Sequence, residues 1–159
     1  MLQVRSNVFE TNSSSTHSIA LSSEILDKCN KEEALNSLLE IGAQCDGSVL
    51  NLSTIPGECW EFGWGPEIYN DFGHKLLYAL LSYEKDKIVF NSLLEYTIEF
   101  LKISSIILPL EYDKYDKRIR LIGHIDHESL RTLSQSLIDL EFENYLLNKN
   151  IFLVIDSEG

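Results

Sequence analysis

Two stretches in the middle of the chain carry apolar residues at helical spacing. From Phe72 to Tyr83 leucines recur three and four positions apart, and from Ile88 to Lys102 apolar residues recur in the same way. This period is that of an amphipathic helix, and it predicts a helix over each stretch. Because apolar residues occupy much of the circumference of the second helix, we expect it to be central to the core.

Weaker patterns predict the remaining elements. A short helix is expected after Ser22 or Ser23, another over Lys31 to Ile41, and a long one over about His127 to Leu147. Alternating or wholly apolar runs predict strands over residues 2–5, 18–21, 49–52, 106–109, 118–122 and 151–155. Strands and helices mix without regular alternation. The sequence therefore predicts a single α+β domain over residues 1–159, with a mixed or antiparallel sheet packed against several helices.

Two stretches break the regular pattern. Residues 111–117 are charged and are expected to be a connection. Residues 55–71 combine prolines and glycines with four aromatic residues, which predicts a loop that folds back over the core. Glu61 and Trp64 lie in this aromatic segment. If the neighbouring rings exclude water, the pKa of Glu61 should be raised, and Glu61 could then act as an acid or base.

The N-terminal run from Phe9 to Ser18 is the most unusual polar stretch. Four consecutive hydroxyl residues, 13–16, favour turns over helix, so we predict a loop. Such loops are often surface turns without chemistry. The alternative is a loop that presents carboxylate, amide, hydroxyl and imidazole groups to a ligand. These groups belong to Glu10, Asn12, Ser14, Thr16 and His17.

A second polar stretch, Gly123 to Ser129, joins a predicted strand to the long helix. Asp126 stands at the expected N-cap, and Ser129 is at the third helical position. Capping alone explains the aspartate, but it does not explain His124 and His127. The first N–H groups of a helix bind anions. This junction therefore also suits a phosphate-bearing substrate.

Three other kinds of site remain open. His17, His124 and His127 could bind a metal together with Glu10, Glu61 or Asp126, but His-x-x-His at such a junction does not place both rings on one helical face. The run His127-Glu128-Ser129 fits half of a two-histidine phosphoesterase pattern. A serine or threonine nucleophile in the N-terminal run would need a histidine from elsewhere, and His127 is the better candidate for that base. The sequence specifies neither a metal nor a cofactor.

Charge and composition narrow the class of protein. The net charge of −12, with 25 acidic and 13 basic residues, argues against a protein that binds nucleic acid by neutralising phosphates. No apolar run approaches the length of a membrane span, and the first residues lack the layout of a signal peptide. Three cysteines without a Cys-x-x-Cys pair indicate neither a disulfide framework nor a zinc site of that type. We expect a cytoplasmic protein that does not bind membranes.

The run Phe9 to Ser18 resembles the N-terminal signature of a group of uncharacterised bacteriophage and prophage proteins. Three further stretches resemble other recurrent elements of that group: 61–64, 75–78 and 125–129. The resemblance implies a phage accessory protein in the host bacterial cytoplasm. Counter-defence is one role that we expect for such a protein. The resemblance indicates which residues recur in that group, but it implies no particular reaction.

Together these features predict a small hydrolase or group-transferase that acts on a polar, nucleotide-like ligand. The expected catalytic residues are His17, Glu61 and His127. The expected substrate-binding residues are Glu10, Asn12, Ser14, Thr16, Trp64, Lys75, Asp126 and Ser129.

Two rival functions involve no catalysis. One is an acidic inhibitor that mimics nucleic acid and binds a basic groove of a host defence protein. The other is a structural component of the phage particle.

Overall fold

The computed structural model describes residues 15–63, 65–125 and 141–157, with backbone only for residues 15, 16, 156 and 157. These residues form an α+β fold, which confirms the predicted class. The helices are α1 (Lys31–Glu40), α2 (Phe72–Ser82), α3 (Lys87–Leu101) and α4 (Phe142–Leu147), with a 3₁₀ turn at Gly57–Trp60. The strands are β1 (Ser15–Leu21), β2 (Gln44–Asp46), β3 (Val49–Asn51), β4 (Glu61–Phe62), β5 (Glu67–Tyr69), β6 (Ser105–Ile107), β7 (Leu110–Asp113), β8 (Arg118–Leu121), β9 (His124–Ile125) and β10 (Ile151–Ser157).

The main sheet is built around β10, which lies between β1 and β5 and is antiparallel to both. Its register places Ile155 opposite His17 on one side and Glu67 on the other. Residues in register across neighbouring strands project from the same face of a sheet. This face therefore carries both a histidine and a glutamate, and it packs against α2.

Helix α2, rather than α3, is central to the core, which corrects the prediction. Nine of its eleven residues are buried, so it contacts other elements on nearly every side. In α3 the buried residues are Leu93, Thr97 and Leu101, while Ile88 is 81% exposed. Apolar residues around a helix permit burial on all sides, but the packing of neighbouring elements decides whether it occurs.

Helix α1 packs against α2 and α3, and a small mixed sheet also contributes to the core. Asn30 caps α1 by accepting a hydrogen bond from the Glu33 backbone N–H at 2.8 Å. Strand β3 pairs antiparallel with β2 and parallel with β6. The predicted helix at 31–41 and the strands at 49–52 and 106–109 are confirmed within a few residues.

The helix predicted after Ser22 or Ser23 does not form, because residues 22–29 instead pair with the α4–β10 connection. The backbone N–H of Ser22 donates to Asn150 O, and that of Cys29 donates to Leu147 O, both at 2.8 Å. Ser22 therefore hydrogen-bonds to a residue distant in sequence instead of capping a local helix.

Two stretches expected to be irregular form strands. Strand β1 begins at Ser15 instead of residue 18, because β10 supplies hydrogen-bond partners to the hydroxyl-rich backbone. Residues 111–113 extend strand β7, and residues 114–117 form the turn of a β7–β8 hairpin, so the predicted connection is shorter than expected. Its turn forms around Asp113, whose carboxylate accepts hydrogen bonds from the backbone N–H groups of Tyr115 and Asp116.

Some predicted elements lie outside the described residues. These are the strand over residues 2–5 and the part of the long helix over residues 127–140. Helix α4 ends at Leu147, the predicted end of that helix. None of the described helices is long and apolar enough to cross a membrane.

Candidate functional site

Strand β1 places His17 in the interior, where its imidazole is fully buried. A hydrogen bond of 2.8 Å joins His17 Nδ1 to the hydroxyl of Tyr78, which is also fully buried on α2. This bond fixes the orientation of the ring, so any acid–base chemistry by His17 would use Nε2. A histidine presented on a solvated loop was expected; the pairing of β1 with β10 accounts for the difference.

Phe62 of β4 contacts both Tyr78 of α2 and Tyr69 of β5. The ring of Phe62 meets Tyr78 edge-on at 5.2 Å and Tyr69 edge-on at 5.9 Å between centroids. We call His17, Phe62, Glu67, Tyr69 and Tyr78 the His17 cluster. The aromatic segment therefore folds over the core as predicted.

Glu67 contributes a carboxyl group to this cluster. It lies two strands away from His17 in the row that both share with Ile155, so their Cα atoms are roughly 10 Å apart. Burial raises the pKa of Glu67, although a backbone hydrogen bond from Gly63 and the nearby His74 act to lower it. Its Oε2 is buried and accepts no hydrogen bond from the described residues. Glu67 is therefore suited to keep its proton at higher pH than a solvated glutamate.

Glu61 does not have the environment that the aromatic segment was expected to give it. It is exposed, whereas its neighbour Phe62 is buried, because successive residues of a strand project to opposite faces. The acid of this segment whose pKa is raised by burial is Glu67, which is partly buried. The alternation of Glu67, Ile68 and Tyr69 hides this, since the apolar Ile68 is the residue that faces solvent.

Strand β9 brings the Gly123–Ser129 stretch to the same region. It pairs in parallel with β4, with Glu61 opposite His124 and Phe62 opposite Ile125. Ile125 therefore lies beside the ring that contacts Tyr78. The structure thus places β1, β4 and β9 around Tyr78, and each of these strands belongs to or adjoins a stretch predicted to supply site residues.

Several predicted site residues lie outside the described part of the chain: Glu10, Asn12, Ser14, Trp64, Asp126, His127 and Ser129. Thr16 lies in β1, where it pairs with Asp156. Of the predicted catalytic residues, the structure therefore describes His17 and Glu61.

Lys75 was predicted to contact substrate, but its side chain lies in the interior. Its ammonium donates hydrogen bonds of 3.1 Å to the carbonyl oxygens of Asn148 and Ile151 and lies 5.7 Å from the ring centroid of Tyr145. Burial lowers the pKa of Lys75 to about 8, although Cys29 and Asp71 act to raise it. These contacts hold the α4–β10 connection against α2.

His74 supports the cluster from the start of α2. Its ring stacks on Tyr69 at 4.1 Å, and its Nδ1 lies 2.9 Å from a carboxylate oxygen of the N-cap residue, Asp71. Burial acts to raise the pKa of Asp71, but hydrogen bonds from His74 hold it below its ordinary value. The aspartate therefore orients the ring beneath Tyr69.

Within residues 15–63, 65–125 and 141–157, no three histidine, cysteine or acidic side chains are grouped closely enough to hold a metal ion. Comparison of the chain with protein-family models, curated proteins and solved structures found no match.

Proposed function

We propose that this protein is a small hydrolase or group-transferase that acts on a polar, nucleotide-like ligand at the His17 cluster. The observation that supports this most directly is the hydrogen bond between His17 and Tyr78 inside a water-poor, aromatic-lined region. Acid–base catalysis needs an imidazole held in one orientation, and a hydroxyl on Nδ1 provides this.

In this proposal His17 exchanges a proton with the substrate at Nε2, and Glu67 is the second acid–base group. A carboxyl whose pKa is raised by burial complements an imidazole, because one group can donate a proton while the other accepts one. The hydroxyl and amide groups of Ser14 and Asn12 and the side chains of Asp126 and His127 remain candidates for ligand binding. Glu61 becomes a surface residue in this scheme.

The biological setting is part of the proposal. The resemblance of Phe9 to Ser18 to a phage protein signature supports an accessory protein that acts in the bacterial cytoplasm, with counter-defence as one role. The two other described stretches of that resemblance, 61–63 and 75–78, contribute Phe62 and Tyr78 to the cluster.

The test is turnover of a panel of nucleotides and nucleotide esters, measured by mass spectrometry. Glu67→Gln should lower turnover by about 10²-fold or more, since this is the usual contribution of one acid–base group. Glu61→Gln is the matched control, because it makes the same change on the exposed side of the same segment. Equal activity of the two variants, or no turnover of any compound, would contradict the proposal.

The histidine needs a conservative variant. His17 is fully buried, so His17→Ala would leave a cavity and lower stability irrespective of catalysis. Tyr78→Phe removes only the hydroxyl on Nδ1. We expect lower turnover and a shifted pH profile, with a melting temperature within a few degrees of wild type. An unchanged pH profile would show that this hydroxyl does not act on His17.

The second candidate is the acidic inhibitor, and the net charge of −12 is the observation that favours it. Acidic residues cluster at 111–116 and 141–143, and several of them are engaged within the molecule. Asp113 and Asp116 lie within 4 Å of arginines of β8, and Glu143 pairs with Lys28 at 2.9 Å. Glu111→Gln and Glu141→Gln are therefore the informative variants. Weaker, salt-dependent binding to a host protein with no effect on turnover would favour inhibition.

A further inference from the structure

A cavity of about 240 Å³ lies between the α2–α3 connection and strands β8 and β9. Lys85, Arg118 and Arg120 line it together with the imidazole of His124, against two carboxylates, Glu84 and Asp116. In a chain with a net charge of −12, a cavity with more cationic than anionic groups is unusual. Three cationic side chains against two carboxylates favour an anionic ligand.

The two arginines are placed side by side. They alternate with Ile119 on β8, so both side chains project from the same face of the strand. Glu84 lies between them, with its Oε1 3.5 Å from Arg118 and 3.7 Å from Arg120. The same carboxylate accepts a 2.9 Å hydrogen bond from the Leu121 backbone N–H, which fixes its position. Two guanidinium groups are thereby held at one wall of the cavity.

The two arginines differ in how many of their donors are used. Arg120 donates to Gly123 O at 2.8 Å and to Leu121 O at 3.1 Å, and its Nη1 lies 3.8 Å from Asp113. Arg118 lies 3.5 Å from Glu84 and 3.6 Å from Asp116, longer than the 2.7–2.9 Å of a charge-assisted hydrogen bond. Its guanidinium donates no hydrogen bond to any residue that the structure describes. Arg118 is therefore the arginine with donors to offer.

We propose that this cavity binds the phosphate group of a small phosphomonoester. A planar guanidinium donates two parallel hydrogen bonds to phosphate oxygens, and the exposed Lys85 adds an ammonium group. The volume is below the roughly 300–1,000 Å³ of sites that enclose a whole drug-sized ligand. The cavity thus accommodates the phosphate and the atoms next to it, while the rest of the ligand lies along the surface.

The position of the cavity links it to β9. His124 lines the cavity, and the next residue, Ile125, pairs with Phe62 of the His17 cluster. Binding of phosphate here requires no chemistry at His17, so this inference goes beyond the proposed function and can hold without it.

Isothermal titration calorimetry tests the site with three probes: inorganic phosphate, adenosine monophosphate and adenosine. We expect both phosphates to bind, and we expect adenosine to bind at least about tenfold more weakly than its monophosphate. Affinity should fall as salt is added, since charge provides the attraction. Equal binding of adenosine and adenosine monophosphate, or no binding of either phosphate, would overturn the proposal.

Arg118→Gln should weaken phosphate binding by about tenfold or more, the usual effect of losing a hydrogen bond from a charged group. Lys114→Gln is the matched control, because it removes one positive charge from the same hairpin outside this cavity. The affinity of this variant for phosphate should equal that of the wild type.

Lys85→Gln gives a second measurement if Arg118→Gln does not fold. Lys85 is exposed and forms no ion pair or hydrogen bond with the described residues, so its loss should leave stability unchanged and weaken phosphate binding several-fold. Wild-type affinity in Lys85→Gln and in any folded Arg118→Gln would show that the cavity is not the phosphate site.

Discussion

Lys75 is a lysine whose ammonium has only backbone carbonyls as hydrogen-bond acceptors in the described part of the chain. Burial lowers its pKa to about 8, whereas an unfolded lysine titrates near 10.5. Between these values the unfolded chain binds more protons than the folded chain, so this group makes stability rise with pH. Below the lower value both states are protonated, and the dependence disappears.

Urea unfolding at pH 7, 8 and 9 tests whether the lowered pKa of Lys75 makes stability rise with pH. Relative to Lys75→Met, the free energy of unfolding of the wild type should increase by on the order of 1 kcal/mol between the first and last of these pH values. The comparison with the methionine variant is needed because burial also raises the pKa of the Cys29 thiol. The raised pKa of the thiol makes stability fall as pH rises over this range. Parallel curves for the two proteins would show that the buried ammonium titrates normally.

The environment of the acidic residues in 55–71 is only partly predictable from the sequence. Composition correctly indicated a carboxyl group among rings, because so many aromatic residues cannot remain in water. It did not distinguish Glu61 from Glu67, because that choice depends on which face of a two- or three-residue strand meets α2. Pairing with β9 and β10 decides the face, and both partners are distant in sequence.

At the scale of elements, long periodic stretches were predicted well. Helices α2 and α3 lie where the spacing of apolar residues places them. The errors fall where two segments distant in sequence exchange backbone hydrogen bonds: residues 22–29 with the α4–β10 connection, and Ser15 to Ser18 with β10. Local propensity describes a segment alone, and it carries no information about such a partner.

Glu84 fastens the β7–β8 hairpin to the α2–α3 connection through one hydrogen bond and its contacts with two arginines. Glu84→Ala would remove the hydrogen bond to the Leu121 N–H and the carboxylate between Arg118 and Arg120. We expect a loss of about 1–2 kcal/mol and faster amide exchange in β7 and β8 than in α2. Glu111→Ala, an exposed acid of the same hairpin, should change neither. Uniform acceleration across all elements would indicate global destabilisation instead of a loosened hairpin.

At the scale of the whole molecule, charge is the dominant feature. With a net charge of −12, repulsion between acids opposes the compact state. Raising sodium chloride from about 20 mM to about 200 mM should screen this repulsion and raise the melting temperature by roughly 2 °C or more. A lower melting temperature in salt would mean that surface ion pairs, such as that between Lys149 and Glu33, outweigh the repulsion.

The central position of β10 constrains how the protein is made. Strands β1 and β5 pair with β10 and not with each other. The main sheet therefore cannot form until residues 151–157 have left the ribosome. Until then His17 lacks its neighbour Ile155, and the hydroxyl-rich edge of β1 has no partner. Pairing between such distant segments is slow. Folding of this sheet is therefore expected after, rather than during, synthesis of the preceding elements, in a period when chaperones have access to the exposed strands.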